Sequence, residues 1–428
     1  MNETTAVTRD DDLLEADIER WMAPGHPERA ELIADPYPLF DRIRERNPVY
    51  RTRQGPWIVT RFDDVAEILR DHRWSRDAEH ARFAHLHEPP PENGHREQGA
   101  LEAMFGTWML YADPPEHTRL RRLVNRSFTP RAIADREERV AQIIQDLIED
   151  LRARDRFDVR HDFANVLTAT VMCELIGMPM ERFEEFAGWS GALIRLQEPD
   201  VTGEEARRAR ASLEECIDFF EQLIAQRRRA PTDDVISHLL ETEREERVTH
   251  EEIIGMCMML HVAGHETTSN RITNATYYLL QHPDQHRLVR REPDRTTDAI
   301  EETLRMSSTG PLPRYATEDI TVGDTVIPTG AIVIPSQGAA NRDPDRFAEP
   351  HRFDVSRENA SEHIAFGAGL HYCLGVHLAR LEATSALRAL MTSPRALEAT
   401  GDDIRWRDSF VVRGLEALPV SWSNAGEG

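Results

Sequence analysis

Residues 366–375 read Phe-Gly-Ala-Gly-Leu-His-Tyr-Cys-Leu-Gly and form the most informative segment of the chain. Gly367, Gly369 and Gly375 allow a tight backbone and the close approach of a flat ligand. Cys373 lies between this glycine-rich turn and a helix that we expect to begin near Leu374. The N–H groups and the positive dipole end of that helix would stabilise a cysteine thiolate. A thiolate held in this way is suited to bind iron.

The alternative for Cys373 is a buried structural cysteine in a tight turn, because free cysteine is among the most buried residue types. The neighbouring residues argue against it. Three glycines at these spacings occur by chance in roughly 3 of 10,000 windows at a glycine usage of about 7%. Phe366 and His371 at their positions lower that frequency further. We therefore favour an iron-bound thiolate, and a haem iron with a cysteine ligand gains electron density that favours O–O cleavage.

Composition excludes several function classes. The 428 residues include 76 acidic and 52 basic ones, a formal charge of −24. This balance argues against a nucleic-acid binder and against docking on anionic lipid. No lysine is present, which excludes a Schiff-base or P-loop lysine. The four cysteines form no C-x-x-C pair, so neither a disulfide framework nor a zinc site is expected. Without a signal peptide or an apolar run of about 18 residues, we expect a cytoplasmic protein with no membrane anchor.

The order of patterns along the chain predicts a mainly α protein with small β-sheets. We expect residues 1–30 to be a polar, partly mobile segment ahead of a single domain over residues 31–428. Helical periodicity covers most of residues 115–310. Short strands are predicted over residues 319–335, where β-branched runs are broken by Gly-Asp and Pro-Thr-Gly. A helix is expected again from about 374 to 390.

A long central helix is predicted from Thr249 to His282. Thr249 and Glu252 can form a capping box at its start. The middle of the helix reads Ala-Gly-His-Glu-Thr-Thr over residues 263–268. Glycine inside a helix costs about 0.5–1 kcal/mol relative to alanine, so small residues there indicate room for something flat or small. For this segment alone, a polar patch that happens to contain glycine is the open alternative.

Residues 366–375 resemble the haem-binding signature F-G-x-G-x-H-x-C-x-G of the cytochromes P-450, with every fixed position matched. The resemblance extends over about residues 35–420 and is greatest to the soluble bacterial members. It implies the cytochrome P-450 fold, with haem b between the long central helix and the loop and helix that carry Cys373. The Cys373 thiolate would then be the iron ligand, with Phe366, Gly367, His371 and Gly375 around the cofactor.

The central segment resembles the oxygen-activation sequence A-G-x-[DE]-T-T of the same family. Ala263 and Gly264 would lie against the haem. Thr267 would hydrogen-bond the oxygen that is being activated, and Glu266 would help to relay protons from solvent. O₂ is the implied co-substrate, and the acid–alcohol pair favours O₂ activation over a peroxide-only enzyme.

Two further motifs concern the cofactor surroundings. Glu302 and Arg305, a common surface spacing when taken alone, resemble the family motif E-x-x-R, which implies a structural bond with a later arginine at Arg352. Haem propionates need arginine or histidine donors. The residues that the resemblance suggests for this role are His117, Arg121, Arg314 and His371.

The expected reaction is insertion of one oxygen atom of O₂ into an apolar organic substrate, by hydroxylation. Electrons from NAD(P)H would arrive through a separate ferredoxin or flavodoxin and its reductase, which could dock on Arg119, Arg122 and Arg126. Coupling, desaturation, demethylation and peroxide-driven oxidation remain alternatives, as does a non-enzymatic haem sensor or carrier. We expect a monomer. Candidates for the substrate pocket, each of which could instead be a core residue, are Phe83, Leu86, Trp108, Met109, Leu110, Met259, Val262, Gly310 and Leu312.

Overall fold

The computed structural model describes residues 9–23, 25–77, 104–198, 201, 203–243, 248–308, 310, 312–401 and 404–423. This part of the chain is mainly helical with small sheets, as predicted. The helices are α1 (Arg9–Met22), α2 (Ala30–Ala34), α3 (Tyr37–Arg46), α4 (Phe62–Arg70), α5 (Glu116–Asn125), α6 (Pro130–Ala134), α7 (Glu137–Arg152), α8 (Asn165–Ile176), α9 (Phe183–Arg195), α10 (Gly203–Arg229), α11 (Val235–Glu243), α12 (His250–Gln281), α13 (Pro283–Arg291), α14 (Thr296–Met306), α15 (Gln337–Ala340) and α16 (Val376–Met391). Within the described ranges, no helix has the length and apolar character that a membrane span requires.

The strands are short and form small sheets. They are β1 (Val49–Arg51), β2 (Trp57–Val59), β3 (Trp74–Ser75), β4 (Arg156–Asp158), β5 (Arg314–Ala316), β6 (Ile320–Val322), β7 (Thr325–Ile327), β8 (Ile332–Pro335), β9 (Leu397–Ala399) and β10 (Pro419–Trp422). The largest sheet has the order β1-β2-β8-β5-β3, beside the sheets β4-β10-β9 and β6-β7. Strands β6, β7 and β8 lie where residues 319–335 predicted them, and the β6–β7 turn contains Gly323 at φ 55°.

Helix α12 is the central helix of the sequence prediction and is buried along most of its length. Both halves of the capping box are formed by Thr249 and Glu252. Inside the core, Thr273 and Thr276 donate their hydroxyl hydrogens to carbonyls four residues earlier, each at 2.9 Å. These internal bonds let polar side chains lie in the core without unpaired donors. The helix packs against α8, α9, α14 and α16 and is therefore the frame to which the other elements attach.

A turn of π-helix at Val159–Ala164 follows β4 and was not predicted. The Asp158 carboxylate accepts the backbone N–H groups of Arg160 and His161, both at 2.8 Å, and so caps this turn. Because π-turns displace side chains relative to a regular α-helix, they are frequent at functional sites. Here the turn directs the Arg160 side chain at α12.

Near the amino terminus, α1 packs on α3 rather than lying free. Leu14, Ile18 and Trp21 are buried, and the ring of Trp21 meets that of Phe40 edge-on with centroids 5.2 Å apart. The segment predicted as polar thus contains a packed helix. The division of the chain at residue 30 stays a prediction.

Candidate active site

The loop that carries Cys373 is a tight turn fixed by its own backbone. The Cys373 N–H donates to the carbonyl of Phe366 at 2.9 Å, which closes the turn. Gly369 has φ 68°, and a Cβ there would lie 2.6 Å from the carbonyl oxygen of Leu69 in α4. Only glycine allows this approach, and the approach presses the turn against α4. The thiol of Cys373 is therefore presented by a rigid loop.

Helix α5 holds the same loop from the other side. The Arg121 guanidinium donates to the carbonyls of Leu370 at 3.2 Å and Tyr372 at 2.7 Å. These contacts tie the residues on either side of His371 to α5. Arg121 thus has a structural task at the cysteine loop in addition to its predicted role toward a propionate.

A cavity of about 270 Å³ lies between α12 and the cysteine loop. Its walls bring together residues that are far apart in the sequence. Those that the sequence predicted are His117, Arg121, Ala263, Gly264, Thr267, Arg314, Phe366, Gly367, His371, Cys373 and Gly375, together with the pocket candidates Trp108, Met109, Leu110, Met259, Val262, Gly310 and Leu312. Phe83 and Leu86 lie outside the described residues. Glu266 is absent from the walls.

One end of the cavity is surrounded by the buried side chains of Arg76, Arg314 and His117 and by His371. Burial and the nearby charge of Arg76 lower the pKa of Arg314, and burial together with Arg76 and Arg314 lowers the pKa of His371 far below its usual range. One buried nitrogen of Arg76 and Nδ1 of His117 have no hydrogen-bond partner within the described structure. Buried charges are stable only when an opposite charge pairs with them.

Asp113 opposes this charge only in part, because its two carboxylate oxygens accept the Ser75 hydroxyl and the Arg76 backbone N–H. A further anion is therefore required at this end of the cavity. A flat ligand with two carboxylates there and a metal beside Cys373 satisfies both the cations and the thiol, so the residues fit haem.

The helix segment opposite the cysteine presents small residues and one hydroxyl. Thr267 donates its hydroxyl hydrogen to the carbonyl of Ala263 at 2.7 Å, and both residues line the cavity. A Cβ on Gly264 would lie 2.4 Å from the Met172 sulfur of α8. The sequence suggested that this glycine makes room for a ligand. The structure shows that its missing side chain also makes room for α8.

Glu266 faces away from the cavity into a buried ion-pair cluster. Its carboxylate accepts from Arg160 at 2.8 Å and from Arg407 at 2.6 Å. Burial alone would raise the pKa of Glu266, but the charges of Arg407 and Arg160 outweigh it and lower the pKa to about 2. The carboxylate is therefore ionised and clamped from both sides.

The Glu302–Arg305 pair is fully buried, and its third partner differs from the prediction. Arg305 donates to both oxygens of Glu302 at 2.7 and 2.8 Å. The additional arginine is Arg357, whose Nε donates to Glu302 at 3.1 Å. The prediction that Arg352 is this partner is wrong, because its side chain is 57% exposed and pairs with Glu349. Arg352 takes part only through its backbone carbonyl, which accepts from Arg305 and Arg357.

The predicted basic patch on α5 is partly neutralised. Arg119 forms a two-point ion pair with Glu252, the same glutamate that caps α12. Arg126 lies 3.5 Å from Glu241. The third arginine, Arg122, is exposed, and the described residues show no carboxylate partner for it.

A carboxylate clasp joins two walls of the cavity. Glu198, at the end of α9, is 2% exposed and accepts the hydroxyl of Ser409 and the backbone N–H groups of Phe410 and Val411. The neighbouring Gln197 lines the cavity, as does Val411. No local sequence pattern predicts this clasp, because its halves are more than 200 residues apart.

A thiol on a rigid turn, a helix with a hydroxyl opposite it and buried arginines whose charge is only partly opposed define a haem-thiolate site. Comparison with known proteins agrees. The sequence model described as "Cytochrome P450" matches residues 75–404. Cytochrome P450 107B1 of Saccharopolyspora erythraea is 39% identical over 396 residues, which cover 90% of this chain and 95% of that protein.

Other relatives give the same result. PikC, a cytochrome P450 monooxygenase of Streptomyces venezuelae, is 36% identical and covers 93% of each chain. Among solved structures, P450BioI in complex with an acyl carrier protein superposes with a TM-score of 0.84 at 34% identity, over 92% of this chain and 99% of that one. The chain belongs to the cytochrome P450 family. It is a monooxygenase whose cofactor is haem with a cysteine thiolate ligand, supplied here by Cys373, and whose co-substrate is O₂.

Proposed function

We propose that this enzyme hydroxylates an uncharged, mainly apolar organic molecule, with electrons from NAD(P)H delivered by a separate ferredoxin or flavodoxin and its reductase. The observation that carries the proposal is the position of Thr267 and Cys373 on the walls of one largely apolar cavity. Apolar walls with few polar groups suit a molecule that binds by burial of its surface. The relatives include a 6-deoxyerythronolide B hydroxylase and a vitamin D(3) 25-hydroxylase, each 36% identical.

The residues around the cavity take separate roles in this proposal. When bound, haem supplies the redox chemistry that activates O₂ and cleaves its O–O bond. His117, Arg314 and His371, together with Arg76, bind the two propionates as charge-assisted donors. Arg121 orients the cysteine loop through its carbonyls. Phe366, Gly367 and Gly375 line the cavity beside Cys373, where they would contact the haem.

Thr267 holds a proton at the cavity wall. Its hydroxyl rests on the Ala263 carbonyl and can rotate toward the cavity. Glu266, one residue earlier, supplies that proton only after one of its arginines moves, because a carboxyl with a pKa of about 2 does not carry a proton near neutral pH. Arg407 is the mobile candidate, since its side chain is 24% exposed against 4% for Arg160.

The electron donor is proposed to dock on the surface formed by α5 around Arg122. Ferredoxins and flavodoxins are acidic, so an arginine that has no carboxylate partner among the described residues is a suitable contact. Replacing Arg122 and Arg126 by glutamate should slow the first electron transfer, measured by stopped-flow trapping of the ferrous protein with CO. Unchanged rates would remove this surface from the proposal.

The reaction itself is tested with a compound library. Apolar compounds that bind should shift the haem Soret band toward the high-spin form, and the best of them should yield a hydroxylated product with a surrogate ferredoxin and reductase. Under isotopically labelled O₂, one labelled oxygen atom should enter the product. A product without labelled oxygen, or one formed by coupling or desaturation, would replace hydroxylation by those alternatives. If peroxide alone supports the same turnover as the ferredoxin and its reductase, the proposal of a redox partner is replaced by peroxide-driven oxidation.

A further inference from the structure

Arg271 is a half-buried cation on the cavity wall that the sequence did not single out. It lies one helical turn after Thr267 on α12 and lines the same cavity as Cys373. Its guanidinium carbon is 4.5 Å from the centroid of the Phe366 ring. Phe366 in turn accepts the backbone N–H of Cys373 through its carbonyl. Arg271 thus touches the residue on which the cysteine turn closes.

A second arginine packs on the same ring but differs in charge balance. Arg380 lies 4.8 Å from the centroid of Phe366 and donates to both oxygens of Glu301 at 2.7 and 2.8 Å. Its charge is therefore compensated. Arg271 has no hydrogen bond or ion pair with a carboxylate anywhere in the described structure. A guanidinium without a counter-ion on the wall of a cavity that a ligand fills is most stable next to an anion of the site itself.

Arg271 faces the cysteine side of the cavity, where it packs on Phe366 and lines the same wall as Cys373. Burial lowers the pKa of Arg271, and the negative charge of Cys373 is the largest influence that opposes this shift, with Glu301 a smaller one. Arg76, Arg314, His117 and His371 act on one another, and Arg121 acts both on His371 and on Cys373. Arg271 lies on the cysteine side of the cavity wall through its contact with the Phe366 ring.

We propose that Arg271 is a positioning residue that places a positive charge beside the Cys373 thiolate and thereby limits how much electron density the sulfur gives to the iron. The inference rests on the function proposed above only in that it requires haem bound through Cys373. A positive charge near the ligand stabilises the ferrous state, which carries one more electron than the ferric state. Arg271 should therefore make the first reduction easier.

The test compares two substitutions in the haem-loaded protein. Arg271→Met removes the charge and keeps an unbranched side chain, whereas Arg271→Lys keeps the charge. We expect the ratio of ferrous to ferric protein at a fixed applied potential to fall about tenfold in Arg271→Met, the size of an interaction between neighbouring partly buried charges. In Arg271→Lys the ratio should stay close to that of the wild type. The C–O stretching frequency of the ferrous CO complex should fall in Arg271→Met, because a more donating sulfur increases back-donation to CO.

Glu301→Gln provides a second variant if Arg271→Met fails to hold haem. It removes a negative charge from the same cluster, so the ferrous fraction at the fixed potential should rise. Equal midpoint potentials in all the variants, or equal shifts in Arg271→Met and Arg271→Lys, would overturn the inference. A wild-type protein that binds haem without a thiolate CO spectrum would instead contradict the proposed function, so the two failures are distinguishable.

Discussion

Replacement of Arg357 by glutamine should destabilise the protein far more than the same replacement at Arg352. The two arginines lie five residues apart in the irregular segment before the cysteine loop, and the sequence analysis expected Arg352 to join Glu302 and Arg305. Only Arg357 is placed to do so. Its Nε donates to Glu302, and its other nitrogens donate to the carbonyls of Ala348, Glu349 and Arg352.

The size of the effect follows from these contacts. The Arg357 side chain is 8% exposed, and the Glu302 side chain is fully buried. Glutamine in place of Arg357 loses the ion pair and the donor to the Ala348 carbonyl. Glu302 keeps its two bonds from Arg305, and the carbonyls of Glu349 and Arg352 keep their other donors. The loss should therefore approach about 3 kcal/mol, below the upper end of the range for a broken buried pair. Arg352 pairs with Glu349 at the surface, where such a bridge is worth about 0–1 kcal/mol.

Equilibrium unfolding of the two haem-loaded variants in urea, followed by tryptophan fluorescence, measures the difference. The midpoint should fall clearly for Arg357→Gln and hardly at all for Arg352→Gln. The CO difference spectrum should also show loss of the thiolate form in Arg357→Gln alone, because the network supports the segment that leads to Cys373. Equal midpoints for the two variants, or a larger loss at Arg352, would refute this reasoning.

Four further predictions concern the cavity and its surroundings. Thr267→Ala should lower the product formed per NAD(P)H consumed by about tenfold or more, while the serine variant retains it; unchanged coupling in the alanine variant contradicts the assigned role. The pKa of Glu266 is lowered from 4.5 to about 2 on folding, so its ion pairs stabilise the protein above about pH 4.5 and this contribution is lost as the pH falls toward 2. The free energy of unfolding of the Glu266→Gln variant should lack this part of the pH dependence. Parallel acid-unfolding curves for the variant and the wild type would contradict the ion pairs of Glu266 with Arg160 and Arg407. Arg314→Gln should accelerate haem transfer to an apo-globin about tenfold, and an unchanged rate would exclude a propionate contact. Glu198→Gln should raise both the association rate and the dissociation rate of phenylimidazole about tenfold and leave its dissociation constant unchanged. The control is Glu15→Gln, which changes an equally buried carboxylate away from the cavity and should leave both rates as they are.

The parts of the site that the sequence predicted correctly depend on local signals. The capping residues Thr249 and Glu252 mark the start of α12 because a helix needs acceptors for its first N–H groups. The glycines around Cys373 mark a turn that only residues without a Cβ can form. The hairpin within residues 319–335 has its own turn residues. Each of these features is decided within a few positions of the chain, so it can be read before the fold is known.

The parts that the sequence missed depend on which distant segments meet. All 52 basic residues are arginines, so the amino-acid sequence alone does not distinguish Arg76 and Arg271, which line the cavity, from arginines in solvent. Arg352 and Arg357 lie in a segment without periodicity, and only the path of the loop decides which one reaches Glu302. The contacts of Glu198 with residues 409–411 could not be predicted either, because they also depend on which distant segments meet. For Gly264 the sequence was partly sufficient: it predicted a small residue at this position, but not that the neighbour that requires it is Met172.

The difference spectrum of the reduced protein with CO tests the haem-thiolate assignment most directly. The wild-type protein should give a Soret band at the position typical of a thiolate ligand, and Cys373→His should move it to the position of a histidine-ligated haem while haem remains bound. A folded wild-type protein that holds haem but lacks the thiolate band, or a Cys373→His variant that keeps it, would contradict the assignment of Cys373 as the iron ligand.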